Sequence, residues 1–176
     1  MALLKNDKIW LRALEPEDLE KLYEWENDSS IWTLGSTISP YSRYVLKEYI
    51  AQSHLGIYEQ KQLRLMIELR EGSKPLGVMD LYDFDPHNKR AGVGILLDHK
   101  YQGKGIASES LSLMMDYAFS FLKLHQLYAY ISTGNERSKS LFLRCGFTVS
   151  GMFSEWISTE NGYADVLILQ RINPEI

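Results

Sequence analysis

Apolar and polar residues alternate at the start of the chain and then change to a helical spacing. Residues 9–14 alternate as a half-buried strand does. In the next stretch, EPEDLEKLYEWEND, Pro16 suits a first helical turn and is followed by acidic residues. The apolar residues of this stretch, Leu19, Leu22 and Tyr23, fall on one side of a helix. The chain is therefore predicted to begin with a strand followed by a helix.

A second helix is predicted in the segment SPYSRYVLKEYIAQS. Ser39 can cap its N terminus, and Pro40 fits its first turn. Four aromatic or apolar residues share one side of this helix: Tyr41, Tyr44, Val45 and Tyr49. Nothing in the sequence indicates what this side packs against.

The middle of the chain contains three short strand-like runs, LRLMIEL, LGVMDLYDF and AGVGILL. The segments between them, REGSKP and DPHNKR, are rich in residues that form turns. Short strands joined by tight turns predict an antiparallel meander.

The last part of the chain alternates helices with strands. A broad apolar stripe with a period of about 3.6 predicts a helix packed on the sheet. Its members are Ile106, Leu111, Met114, Met115, Ala118, Phe121 and Leu122. LYAYIS is a further strand, NERSKSLFLRCGF a short helix closed by Gly146, and ADVLILQR a last strand after an Asn161-Gly162 turn. The predicted order is β α α β β β α β α β β, one α+β domain over residues 1–176.

Composition narrows the possible partners. The net charge of −4 argues against an electrostatic grip on nucleic acid or on an acidic membrane. The single cysteine, Cys145, cannot form an internal disulfide, and the start of the chain lacks the apolar region of a signal peptide. We therefore expect a cytoplasmic protein that binds neither nucleic acid nor membranes. The four histidines are too scattered for a metal site, and we expect none.

The stretch YQGKGIASESL places Gly103, Lys104 and Gly105 between a predicted strand and a predicted helix. Such a turn leaves backbone N–H groups unpaired at the positive end of the helix dipole, where they can bind an anion. Glycine lets a phosphate approach the backbone, and Lys104 adds a positive charge. Helices also begin after glycine turns in proteins that bind nothing, so the two glycines alone leave both interpretations open. The kinase-type phosphate loop does not fit, because it has four residues between its glycines.

Residues 102–107, QGKGIA, resemble the Gln/Arg-x-x-Gly-x-Gly/Ala signature of the GNAT superfamily of N-acetyltransferases. The longer segment AGVGILLDHKYQGKGIASESL resembles that family's fourth strand and pyrophosphate loop. NERSKSLFLRCGF is similar to its Asn-x-x-Ser/Ala and Gly-Phe segment. With the first strand and the C-terminal tail, the likeness covers nearly the whole chain. It is greatest to the branch that contains spermidine and ribosomal-protein alanine N-acetyltransferases.

This resemblance implies a mixed, mostly antiparallel sheet of about seven strands flanked by about four helices. Two parallel strands would splay apart to form a cleft for acetyl-CoA, which is the implied co-substrate. The implied cofactor contacts are the backbone of Gln102, Gly103, Lys104, Gly105, Ile106 and Ala107, the strand edge Ile95, Leu96 and Leu97, and the side chains of Asn135 and Ser138. Asn135 equally suits an ordinary helix N-cap, and Ser138 an ordinary helix surface.

The implied reaction is direct attack of a neutral amine on the thioester, without an acyl-enzyme. A base or a water chain must take a proton from the amine, and an acid assists the departing thiolate. The family's usual acid is a tyrosine, but the matching residue is Phe142. Its usual glutamate on the fourth strand is matched by Gly92. Both usual proton-handling side chains are absent, although a thiol with a pKa of about 8.5 is a tolerable leaving group alone.

Acidic and aromatic residues are the candidates for binding the amine. Asp80 and Asp83 point to opposite faces of their strand, so only one of them can face the cleft. Asp80 is favoured for acceptor binding or as the base, because acids occupy the similar position in the spermidine enzymes; a solvated acid is an equal alternative. Trp25 and Glu26 fall where family members build the acceptor wall, and Trp156 is a further candidate. These residues equally suit core positions or a solvated helix end.

Three functions remain open from the sequence. The first is N-acetylation of a small polyamine-like cation, and the second is acetylation of a protein N-terminal amine. The third is a non-catalytic acetyl-CoA sensor, which the absence of the usual proton handlers motivates. Exposed strand edges make a homodimer or a higher homo-oligomer plausible.

Overall fold

Seven strands form one sheet in a computed structural model of the protein, which describes residues 3–32 and 38–174. The strands are β1 (Ile9–Arg12), β2 (Leu63–Leu69), β3 (Lys74–Asp85), β4 (Arg90–Leu97), β5 (Gln126–Ser132), β6 (Thr148–Thr159) and β7 (Gly162–Ile172). Their order across the sheet is β1-β2-β3-β4-β5-β7-β6. Strands β2, β3 and β4 pair antiparallel, which confirms the predicted meander. Strands β4 and β5 pair parallel, as the mixed sheet required.

Four helices have eight or more residues within the described parts of the chain. They are α1 (Leu19–Glu26), α3 (Arg43–Gln52), α5 (Ile106–Asp116) and α6 (Glu136–Arg144). Two single turns were not predicted, α2 (Ser29–Trp32) and α4 (Ile57–Gln60). No helix in these parts is long and apolar enough to cross a membrane.

The sheet has a separate apolar core on each face. On one face, Leu65, Ile67, Met79 and Leu81 pack with residues of α5 and α6. On the other, alternate residues of the same strands pack with α1 and α3; this core contains Met66, Val78, Leu22, Trp25, Leu46 and Ile50. Side chains alternate along a strand. Asp80 and Tyr82 therefore lie on the same face of β3 as Val78, which is the face covered by α1 and α3.

The second predicted helix begins later and turns differently from the prediction. Ser42, rather than Ser39, caps α3, and its hydroxyl accepts a hydrogen bond from the Val45 N–H at 3.1 Å. The buried residues of α3 are Leu46 and Ile50. The predicted apolar side was right for Tyr49, which packs against this core, and wrong for the rest, since Tyr41 precedes the helix and Tyr44 and Val45 are exposed. Tyrosine hydroxyls can remain hydrated, so an exposed tyrosine side is tolerated while Leu46 and Ile50 fill the core.

The apolar stripe after the glycine turn is confirmed except at Phe121, and Leu122 at its end packs against the core. Helix α5 changes into a π-helical turn over Tyr117–Phe121. The wider turn shifts the helical register, so Phe119 is buried while Phe121 is 60% exposed. A constant period of 3.6 residues could not anticipate this shift.

Candidate active site

The parallel strands β4 and β5 separate after a short paired segment. Their ladder joins Arg90–Gly92 to Gln126–Tyr128, and no pair follows in the register. Strand β4 nevertheless continues to Leu97 and β5 to Ser132. The backbone edge of β4 that faces β5 is therefore unpaired from residue 93 onward. This splayed pair confirms the predicted cleft, and the half-buried residues Ile95, Leu96 and Leu97 line its β4 side.

The glycine turn lies at the far end of that edge. Gly103 and Gly105 have φ angles of 75° and 79°, in the left-handed region that glycine adopts at least cost. Both are exposed, and a Cβ placed on Gly103 would meet nothing within 4 Å. The Gln102 side chain lies inward instead, donating a hydrogen bond to the Leu97 carbonyl at 3.0 Å. The turn is thus an open cradle, and its shape depends on the two glycines.

Helix α5 begins at Ile106 directly after this turn, with Gly105 in the N-cap position. No side chain among the described residues caps it, so its first N–H groups are available to an anion. Two lysines lie beside the turn. Lys104 Nζ is 5.5 Å from the ring centroid of Tyr101, and Lys74 Nζ is 5.3 Å from the same centroid. Lys74 adds a second cation that the sequence analysis missed.

A group of charged side chains lies on the α1/α3 face. Arg64 of β2 stands directly opposite Asp80 of β3 and donates two hydrogen bonds to it, from Nε to Oδ1 at 2.6 Å and from Nη2 to Oδ2 at 3.0 Å. Its Nη1 donates a short hydrogen bond to Glu26 at the end of α1. The Arg64 guanidinium also lies 5.6 Å from the Tyr49 ring centroid. Glu26 and Asp80, two separate candidates for binding the amine, are therefore joined through an arginine that the sequence analysis did not name.

This ionic group carries one excess negative charge, since two carboxylates face one guanidinium. Both oxygens of Asp80 accept hydrogen bonds from Arg64, so Asp80 cannot take a proton from an amine without disrupting the ion pair. Burial lowers the pKa of Arg64, but the charges of Asp80 and Glu26 outweigh it and raise the pKa above its ordinary value. The cluster can attract a cation, and its geometry favours binding over proton transfer at Asp80.

The two candidate tryptophans lie in different environments. Trp25 is buried in the α1/α3 core, and its indole N–H donates to Asp98 Oδ2 at 3.3 Å. Its ring therefore packs inside the protein. Trp156 on β6 is 63% exposed and stacks on Phe153 with ring centroids 4.6 Å apart. Of the two, only Trp156 presents an accessible aromatic surface.

Helix α6 follows β5 and begins at a side-chain cap. Asn135 caps α6, and its side-chain oxygen accepts a hydrogen bond from the Ser138 N–H at 3.1 Å. The predicted helix N-cap is confirmed.

Phe142, at the position of the family's tyrosine, is buried and packs edge-to-face on Phe147 with ring centroids 4.9 Å apart. Its position holds no group that can donate a proton.

A tyrosine that the sequence analysis did not single out lies where the strands separate. Tyr82 of β3 pairs with Gly92 of β4, which pairs in turn with Tyr128 of β5. The rings of Tyr82 and Tyr128 meet edge-to-face with centroids 6.0 Å apart. Burial raises the pKa of both phenols, that of Tyr128 to about 12. Only the cross-strand register, which the sequence does not give, could have found this pair.

No group of three or more His, Cys, Asp or Glu residues that could hold a metal ion occurs in residues 3–32 and 38–174. The observed site consists instead of an open strand edge that ends in an anion cradle, with an acidic cluster on the neighbouring face. Together they define an α+β protein whose site suits an elongated ligand with a diphosphate at one end and a cationic partner beside the other.

Comparison with known proteins specifies the family. The model of the acetyltransferase (GNAT) domain matches residues 8–148, and the chain belongs to this family. Spermidine N(1)-acetyltransferase of Escherichia coli K12 is 32% identical over 143 residues, which cover 81% of this chain and 74% of that protein. A putative ribosomal N-acetyltransferase of Bacillus subtilis is 27% identical over 187 residues, covering 97% of this chain and 94% of the relative.

Solved structures agree with the fold. Spermidine N-acetyltransferase from Vibrio cholerae, in complex with CoA and spermine, superposes with a TM-score of 0.86 at 25% identity, over 96% of this chain and 97% of that one. A dodecameric structure of the Vibrio cholerae enzyme gives a TM-score of 0.79 at 25% identity, over 97% and 96% of the two chains. The expected family, fold and enzyme class are confirmed.

Proposed function

We propose that this protein is an acetyl-CoA-dependent N-acetyltransferase that acetylates a primary amine of a small polyamine by direct attack on the thioester. The family assignment and the spermidine acetyltransferase relatives support the reaction class. The observation that supports a polyamine as the acetyl acceptor is the ionic cluster of Glu26, Asp80 and Arg64, because its excess negative charge suits a cation.

The geometry of β4 supports the binding mode of acetyl-CoA. The diphosphate would lie on the backbone N–H groups of residues 102–107, where α5 has no side-chain cap. The pantetheine arm would pair with the open edge of Ile95, Leu96 and Leu97. Five residue steps separate Leu97 from Gly92, a span of about 17 Å along a strand. An extended arm that starts at the cradle would therefore bring the thioester to the point where β4 and β5 separate.

The acidic cluster lies on the α1/α3 face near that point. Asp80 pairs with Gly94 across β3 and β4, two residues from the separation. A polyamine carries several ammonium groups at neutral pH, and one must be uncharged to attack. We infer that Glu26 and Asp80 hold a distant ammonium, while Asn135 and Ser138 border the cofactor from α6. Tyr49 adds an aromatic side to the same wall.

Thiol release from acetyl-CoA tests this function directly. The purified protein is assayed against spermidine, spermine, an aminoglycoside and a short alanine-terminated peptide. We expect turnover with the polyamines and a Glu26→Gln variant with a higher KM for spermidine and a similar kcat, because the lost charge binds but does not react. Turnover with the peptide and none with either polyamine would refute the polyamine assignment.

Acetylation of a protein N-terminal amine is the second candidate. It is favoured by the putative ribosomal N-acetyltransferase relative. The peptide in the panel distinguishes this candidate from the first. Its single ammonium group is the one that reacts, so no second cation remains for Glu26 and Asp80 to bind.

A non-catalytic acetyl-CoA sensor is the third candidate, motivated by the buried Phe142 and by Gly92. It predicts tight binding of acetyl-CoA by calorimetry without acetyl transfer to any amine. Steady thiol release with one acceptor would eliminate it.

The assembly is expected to be a homo-oligomer, as the dodecameric Vibrio cholerae structure is. Light scattering on the purified protein measures this directly. A cytoplasmic location, the lack of nucleic acid or membrane partners and one domain over residues 1–176 stay predictions.

A further inference from the structure

Tyr82 occupies the space that a side chain at position 92 would need. A Cβ placed on Gly92 would lie 2.2 Å from Cε2 and 2.4 Å from Cζ of the Tyr82 ring. Real Cβ atoms do not approach other atoms this closely, so the ring lies directly over the glycine backbone. The family's glutamate and this tyrosine therefore cannot share the position, and in this chain an aromatic ring from β3 fills it.

The ring also extends across the strand separation. Gly92 and Tyr128 form the last pair of the parallel ladder. From β3, Tyr82 passes over Gly92 and meets Tyr128 edge-to-face at 6.0 Å, so one side chain reaches from β3 to β5. The ring carbon that carries the hydroxyl, Cζ, is 2.4 Å from the position that a Cβ of Gly92 would take. The hydroxyl is therefore placed at the closed end of the cleft, where the arm geometry brings the thioester.

The surroundings keep this phenol protonated. Burial raises the pKa of Tyr82 above its ordinary value, and the neighbouring Tyr128, Tyr130 and Asp83 raise it further, while a hydrogen bond with the Tyr130 backbone lowers it. A phenol that holds its proton at neutral pH can donate a hydrogen bond to a group on which negative charge develops. The sulfur of a thioester becomes such a group as the C–S bond breaks.

We propose that the Tyr82 hydroxyl donates a hydrogen bond to the departing thiolate and stabilises its negative charge, at a site where Phe142 supplies no hydroxyl. This assignment rests on the proposed acetyl transfer. The amine nitrogen bonds to the thioester carbonyl carbon and loses a proton to solvent, the C–S bond breaks, and its electron pair stays on sulfur. The phenol keeps its proton while it donates to the sulfur, and the thiolate then takes a proton from solvent. Tyr82 is therefore a catalytic residue of this chain.

The test compares two variants that each remove one hydroxyl from the edge-to-face pair. Tyr82→Phe keeps the ring over Gly92 and removes only the hydroxyl, and Tyr128→Phe does the same for its neighbour. The single-turnover rate of acetyl transfer is measured with the full-length protein, together with acetyl-CoA affinity by calorimetry and the Tm. We expect Tyr82→Phe to slow transfer by about 100-fold or more, as the loss of one donor to a developing negative charge does, with affinity and Tm close to wild type, and Tyr128→Phe to slow it less than threefold.

Two results would overturn the assignment. A Tyr82→Phe variant with a wild-type transfer rate would mean that the ring only fills space, and a large loss confined to Tyr128→Phe would assign the hydrogen-bond donor to Tyr128. Failure of the proposed function has a different signature, because the wild-type protein would then transfer acetyl to no amine while still binding acetyl-CoA.

Discussion

A carboxylate placed in the glycine turn should repel the diphosphate of acetyl-CoA. We compare Gly105→Glu with Gly105→Gln, which has nearly the same size and no charge. Both variants force a side chain into a left-handed conformation, at φ 79°, which costs about 1–2 kcal/mol of stability. Neither introduces a steric clash at its Cβ, because the nearest atom to that position is Glu109 Oε1 at 3.9 Å. Both should therefore fold with a similar, modest loss of stability.

The difference between the two variants isolates the charge. Gly105 is exposed, so the value for bulk water applies, about 1 kcal/mol for two unit charges at 4 Å. Two diphosphate charges give about 2 kcal/mol, which is about a 30-fold weaker binding. Salt should reduce the gap, since the Debye length is about 8 Å at physiological ionic strength.

Calorimetric titration of each variant with CoA measures this gap. We expect Gly105→Glu to bind about 30-fold more weakly than Gly105→Gln at low salt, with matching circular dichroism spectra. Equal affinities for the two variants, with both folded, would show that the diphosphate does not lie at this turn.

Two further predictions concern buried charges. Arg12 donates to Asp18 at 2.7 Å and to Glu68 at 2.5 Å, and all three side chains are largely buried. Arg12→Leu should lower the free energy of unfolding by about 3–5 kcal/mol, measured by urea denaturation, because it leaves two unpaired carboxylates. Burial raises the pKa of Asp98, but hydrogen bonds, including one from the Lys100 N–H, and nearby positive charge lower it below the ordinary 3.8. Ionised Asp98 therefore stabilises the fold above pH 3.8, and this stabilisation is lost as the pH falls through the lowered pKa. In Asp98→Asn the Tm should fall less steeply over this acidic range, which thermal melts at a series of pH values measure.

The sequence predicted the features that depend on local backbone chemistry. The meander followed from strand runs separated by turn residues, and the open turn from two glycines between a strand and a helix. Gly103 and Gly105 indicate the turn because their left-handed φ angles exclude most other residues, but they alone left open whether it binds an anion. The resemblance to a known family added the parallel pair, which no local pattern could indicate.

The features that sequence reasoning missed depend on cross-strand register. Arg64 joins Asp80 because β2 and β3 pair in one register and not in another. Arg64 is the one cation in the strand-like run LRLMIEL. A charged residue in such a run could have indicated a buried ion pair, but not which residue completes it. Tyr82 likewise gains its position from the register that places it opposite Gly92.

The glycines of β4 offer a matched test of how Tyr82 is seated. Gly92→Ala would put a Cβ 2.2 Å from the Tyr82 ring, whereas Gly94→Ala would put one 3.8 Å from the same ring, an ordinary contact. Overpacking costs about 1–3 kcal/mol, so Gly92→Ala should lower the free energy of unfolding by that amount and Gly94→Ala by clearly less.

The double variant Gly92→Ala with Tyr82→Val decides whether the ring causes the loss. If the ring is the obstacle, Gly92→Ala should cost little stability when Tyr82 is already valine, and the two changes will be strongly non-additive. Additive losses would mean that the strain comes from the β4 backbone itself. The acetyl-transfer rate should fall in every variant that displaces the ring, including Gly92→Ala. The ring position that leaves no room for a side chain at position 92 also places the Tyr82 hydroxyl at the strand separation.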